Sequence, residues 1–214
     1  MSGGGAGQSL VMQSEVDAIE FWPVAEAYVA GPAAWPLWKD PGWSYIRLDR
    51  STPLDQVGNV VLKLLGPDPE PNLSAAAAVD RIVSVAEPML AGGVEVTSLL
   101  GCVVRPGCCS GIEGRLDWRA FLGTGESPWT GHDPSPWLER CADRVRIWSD
   151  RGGDACSIEL PVERFVRGLD SVERRLVGFG RRLAEWSPGE GERLAVWFLR
   201  AFQVAPDDGR AATA

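Results

Sequence analysis

The chain has 214 residues, 45% of them hydrophobic and 23% charged, with ten tryptophans, which excludes a disordered chain and permits a single large domain. Its 29 acidic against 21 basic residues give a net charge of −8, which repels phosphate backbones and argues against nucleic acid as a partner. No stretch approaches the ~20 apolar residues of a membrane span, and Met1–Ser9 is glycine-rich with neither basic nor apolar character, so neither a membrane nor a signal peptide is expected and the location reads as cytoplasmic.

Residues 1–14 and 205–214 read as frayed tails around one domain, 15–204. In 15–42, Val16, Ile19 and Trp22 could line a helix, but Pro23, Pro32, Pro36 and Pro41 interrupt it. A strand is predicted over 43–48, where aromatic and β-branched residues cluster. A helix over 53–65 follows, with Thr52 as its cap, Pro53 at its first position, Asp55 in its first turn, Leu54, Val57, Val61 and Leu64 at helical spacing and Gly66 as its stop. Residues 67–71, Pro-Asp-Pro-Glu-Pro, form a weak linker. Ser74 starts a helix over 75–90, which Pro88 and Gly92-Gly93 terminate.

A buried strand is predicted over 94–104, with a bulge at Gly101. After a cysteine-bearing loop, a short helix covers 115–122, and residues 123–136 form a long irregular loop. Strands are predicted over 144–149 and 155–160. The clearest signal lies in the last third. Phe165, Leu169, Val172, Leu176, Phe179 and Leu183 make one apolar stripe on a helix over 162–186. Ser187-Pro188-Gly189-Glu190 reads as a capping box for a final helix over 188–203. The expected fold class is α+β: one mixed or antiparallel sheet covered by helices, ending in a helical hairpin.

Chemistry concentrates in two loops, Arg105-Pro-Gly-Cys-Cys-Ser-Gly111 and Ser127-Pro-Trp-Thr-Gly-His-Asp-Pro-Ser-Pro-Trp137. Five cysteines, Cys102, Cys108, Cys109, Cys141 and Cys156, are odd in number and irregular in spacing; without an export signal they read as reduced thiols. Cys108, Cys109 and His132, with a further cysteine, supply soft ligands for a metal such as zinc. Against this, adjacent cysteines seldom face one ion, and Cys102, Cys141 and Cys156 also read as small buried hydrophobes on strands. A thiolate at Cys108 or Cys109, His132 as base and Asp133 or Asp117 as orienting acid would make a nucleophilic scheme. His132 is the single histidine of the chain, so imidazole chemistry has no other source. Trp129 and Trp137, flanking His132 and Asp133, read as aromatic anchors of a binding surface.

The pattern Pro106-Gly-Cys-Cys-Ser-Gly111 with Ser127-Pro-Trp-Thr-Gly-His-Asp-Pro-Ser-Pro-Trp137, followed by Val145-Arg-Ile-Trp-Ser149, resembles a group of small, acidic, uncharacterised bacterial proteins over roughly residues 95–190. That group has no established activity and lends no catalytic residue. In its acidity and tryptophan content the chain is also similar in character to bacterial immunity proteins. With the usual nucleotide, hydrolase and zinc-protease motifs absent, the leading expectation is a non-enzymatic, cofactor-free interaction protein. It would be immunity-like or regulatory, and would bind another protein, a basic one suiting its charge, through Trp129, His132, Asp133, Trp137 and its acidic surface. The alternative is a small enzyme or metal-binding protein centred on Cys108, Cys109 and His132.

Overall fold

The computed structural model describes residues 19–27, 33–39, 44–67 and 69–204, and in them the chain forms two antiparallel sheets with helices packed around them. The predicted tails, Val16, Pro32, Pro41 and Trp43 lie outside the described residues. The first sheet contains β1 (Glu20–Glu26), β2 (Tyr45–Arg47), β3 (Gly92–Thr97) and β4 (Val103–Val104), in the order β2-β1-β3-β4. The second is a meander of β5 (Trp137–Cys141), β6 (Arg144–Trp148) and β7 (Ser157–Pro161). The α+β class is as expected, but the single sheet is replaced by two.

Residues 20–26 are strand rather than helix, although Pro23 sits in the middle of a central strand. Pro23 brings no N–H to the ladder, yet its carbonyl accepts from Leu48 N at 2.9 Å, and Phe21, Val24 and Ala25 are buried around it. The predicted strand over 94–104 is instead a hairpin. Its chain turns at 98–102, with Gly101 at φ +86° in the turn, so β3 and β4 pair with each other. The Gly92-Gly93 pair opens β3 instead of closing a helix.

Among the described residues five α-helices follow the apolar periodicity: α1 (Leu54–Leu64), α2 (Ala75–Val83), α3 (Arg115–Thr124, after a 3-10 turn at Ile112–Gly114), α4 (Val162–Ala184) and α5 (Glu190–Ala201). Their ends depart from expectation. Thr52 caps no helix; its hydroxyl bonds within the preceding turn, accepting from Asp49 N at 2.9 Å, and Pro53 is the N-cap of α1. Ser74 does cap α2, accepting from Ala77 N, but that helix stops at Val83, well before Pro88. Gly189, not Ser187, is the N-cap of α5, and no side chain closes the expected box. No helix among the described residues is long and apolar enough to cross a membrane.

The core lies between the sheets and α4. All six residues of the predicted stripe on α4 are buried, with Phe165 against Phe21, Trp118 and Phe121 and with Phe179 against Phe198 of α5. Trp118 is the one buried tryptophan among the described residues, and the other described indoles are half-buried or exposed. Two arginines of α4 are structural: Arg175 lies over the Trp22 ring at 3.1 Å, and Arg182 donates to Thr52 O at 2.7 Å.

The reading of all five cysteines as reduced is overturned. Cys102, at the end of the β3–β4 turn, and Cys156, beside β7, form a disulfide with Cα atoms 5.9 Å apart. It staples one sheet to the other across 54 residues of sequence, constraining the unfolded chain by roughly 4 kcal/mol. Cys102 and Cys141 are half-buried and Cys156 is exposed, and only Cys141 lies on a strand, so the reading of these three as buried strand residues fails as well. An odd count hid the pair, since spacing alone cannot choose partners.

Two outcomes test this packing. Thiol titration of the unreduced, denatured chain should find three groups, Cys108, Cys109 and Cys141, and reduction should release the remaining two. Finding five without reduction would remove the staple. Gly168→Ala would place a methyl 2.5–2.8 Å from the buried Phe21 ring. The overpacking cost of about 1–3 kcal/mol should exceed the ~1 kcal/mol of helix propensity gained, giving net destabilisation in urea unfolding. A stabilised variant would mean that the ring is not confined.

Candidate functional site

The two chemistry-bearing loops leave opposite ends of α3. Residues 105–111 connect β4 to the turn before α3, and residues 125–136 run from its C-terminus to β5. The first loop is pinned along its length. Tyr45 Oη donates to Pro106 O at 2.7 Å, and the buried Ser110 hydroxyl lies 2.7 Å from Gly92 O and 2.8 Å from Gly107 O. Thr130, buried in the second loop, donates through Oγ1 to Pro136 O. Ser135 N donates to the Asp150 carboxylate at 3.0 Å. The backbone N–H groups of Ser135, Arg151 and Gly152 hold the Asp150 pKa below the ordinary carboxylate value.

The loops then pair as a fragment of antiparallel sheet. Gly107 N donates to Thr130 O and Cys108 N to His132 O, both at 2.8 Å, and His132 N donates to Cys108 O at 3.2 Å. The contact needs glycine on both sides. A Cβ at Gly107 would strike the Pro134 carbonyl oxygen and come within 2.7 Å of His132 N, and one at Gly131 would lie 2.5 Å from Gly107 O. Gly131 also has φ +92°, in the left-handed region.

Residues directly opposed in an antiparallel pair present their side chains on the same face. Cys108 Sγ accordingly lies 3.0 Å from His132 Nδ1, which also lies 3.1 Å from the Cys108 carbonyl oxygen. In extended chain the next side chain would point away, but Cys109 has φ +64°, and this turn brings its thiol back to the same side. The donor atoms of Cys108, Cys109 and His132 all lie within 4.8 Å of one another. The objection that neighbouring cysteines face apart is met by one left-handed residue. Cys109 and His132 are exposed and Cys108 is half-buried.

Other anticipated residues divide. Trp129, 61% exposed, donates from Nε1 to Cys109 O at 3.4 Å, and its ring centre is 5.8 Å from that of His132. Trp137 belongs to β5 and stacks on Trp148 at 5.7 Å, with no contact to the cluster among the described residues. Asp117 is exposed on α3, and neither it nor Asp133 hydrogen-bonds to the imidazole among the described residues. Cys102 and Cys156 are consumed by the disulfide. Tyr45, Gly107, Ser110, Gly131 and Asp150 were not singled out by the sequence. The glycines next to Cys108 and His132 were the one visible signal of a close backbone approach.

The electrostatics disfavour a resting thiolate. Desolvation first, then a hydrogen bond and charge repulsion from Cys109, then the negative charge of Asp133, push the Cys108 pKa above the ordinary thiol value; the His132 backbone pulls it partly back. No family model, curated protein or solved structure matches the chain. Alkylation of Cys108 by iodoacetamide, followed by mass spectrometry against pH, should rise through a midpoint above the ordinary thiol pKa, because the proton is held more tightly than in a free thiol. A midpoint near neutrality would instead indicate a thiolate–imidazolium pair and a nucleophile.

Proposed function

We propose that the chain is a soft-metal-binding protein whose ion is held by Cys108, Cys109 and His132. The observation that supports this is the convergence of two thiols and one imidazole within 4.8 Å. Donors sharing an ion at ~2.3 Å from sulfur and ~2.0–2.1 Å from nitrogen lie at most about 4.6 Å apart, so small side-chain rotations close the triangle. Thiolate and imidazole are the donors that soft and borderline ions select. In the apo chain the raised Cys108 pKa keeps its proton at neutral pH. Binding must displace it, so affinity rises with pH and uptake releases protons. The same raised pKa, with no acid on the imidazole, weakens the case for nucleophilic catalysis.

A second reading, a non-enzymatic interaction protein of the immunity or regulatory kind, is favoured by one observation: Trp129 stays 61% exposed although its indole N–H is tied down. Location bears on both readings. A cytoplasmic setting would keep Cys108 and Cys109 reduced and ready to ligate, whereas the Cys102–Cys156 disulfide fits an oxidising compartment better.

Cobalt(II), a spectroscopic stand-in for zinc, tests the metal reading. One equivalent should produce the intense thiolate-to-metal absorption of a sulfur-ligated site. Cys108→Ser and Cys109→Ser should each reduce that band and His132→Ala should weaken binding, while Trp137→Ala should leave it intact. Absence of a thiolate-to-metal band in the wild-type protein at saturating cobalt and at saturating copper(I) alike would contradict the proposal.

A further inference from the structure

The make-up of the donor triangle narrows the choice of ion, provided that the metal-binding reading holds. We infer that the ion is monovalent copper, held in trigonal geometry by Cys108, Cys109 and His132, with the indole of Trp129 beside it. Three observations carry this. The donors are two sulfurs and one ring nitrogen, and no carboxylate belongs to the set although Asp133 adjoins it in sequence. Hard oxygen ligands suit magnesium, calcium and manganese; thiolates select copper(I), among few others.

The number of donors is the second observation. Structural zinc is almost always four-coordinate, so three donors satisfy zinc only when an outside ligand joins them. Copper(I), closed-shell and soft, is satisfied by three. The third observation is what stands at the rim. The Trp129 indole is fixed by its N–H bond to Cys109 O at 3.4 Å and lies 5.8 Å, ring centre to ring centre, from His132. It therefore borders two of the three ligand residues. An indole at that rim offers a π-surface to a cation bound by the cluster.

The step balances without a redox partner. Copper(I) arrives on a small carrier ligand; its bonds to the carrier break and the carrier leaves, two sulfur–copper bonds and one nitrogen–copper bond form, and the two thiol protons pass to solvent. No electron moves, and the copper–dithiolate unit carries one negative charge.

The test supplies copper(I) anaerobically as its bicinchoninate complex, to the full-length chain with its disulfide intact. One equivalent should transfer, read as loss of dye colour, and X-ray absorption should report two sulfurs and one nitrogen around copper with no fourth ligand. Tryptophan emission should fall on loading. In Trp129→Phe, an exposed and conservative change, copper should still bind but most of the quenching should vanish. Cys108→Ser should lose transfer, and Cys109→Ser serves as the independent control should that variant misfold. A four-coordinate copper site, or quenching unchanged in Trp129→Phe, would overturn the inference. Cobalt binding without copper transfer would overturn the copper assignment alone, whereas failure to bind either ion would also bring down the metal reading on which it rests.

Discussion

The site depends on a backbone contact that only glycine permits. Gly107 and Gly131 let two loops approach until their main chains pair, and any side chain at Gly107 would collide with the Pro134 carbonyl and the His132 amide. From that contact the rest follows by geometry. Pairing places Cys108 opposite His132, opposition puts thiol and imidazole on one face, and the left-handed Cys109 adds a second sulfur. A residue with φ +64° that is not glycine is uncommon, and here it coincides with the position at which three soft donors meet.

The framework around this contact holds both loop anchors rigid. α3, whose two ends give rise to the loops, is fixed to α4 by Trp118 stacked on Phe165 and by Arg115, which is buried at its N-terminus. Arg115 pairs with Glu173 at 2.8 Å and also donates to Phe202 O at 2.7 Å, so a buried charge joins α3, α4 and the end of α5. Burial of an arginine is tolerated because its donors are met. On the far side the disulfide binds β4's hairpin to β7, and Asp150, in the loop before β7, holds the second site loop through Ser135. Donors on loops are thus positioned by elements that carry no chemistry themselves.

Much of the fold was legible in the sequence where periodicity was long. The α4 stripe is buried residue for residue, and β6 and β7 lie within a residue or two of expectation, because repeated apolar spacing over several turns or a clean alternation leaves few alternatives. Short elements were less legible. β1 was hidden by Pro23, whose lost N–H the sheet tolerates, and β5 by the turn-rich residues before it. The division into two sheets depends on long-range pairing that no local pattern encodes. At the site, the residue types were readable and their convergence was not: the 24-residue separation of Cys108 and His132 is bridged by hydrogen bonds between main chains, which leave no mark beyond two glycines.

The central claim is that these three side chains share one ion, and cadmium NMR tests it most directly. With one equivalent of cadmium, the account predicts a single resonance in the range of a mixed sulfur–nitrogen site. It also predicts scalar couplings from the metal to the β-protons of Cys108 and Cys109 and to the ring of His132. Coupling to only one cysteine, to Cys141, or to no histidine would contradict it.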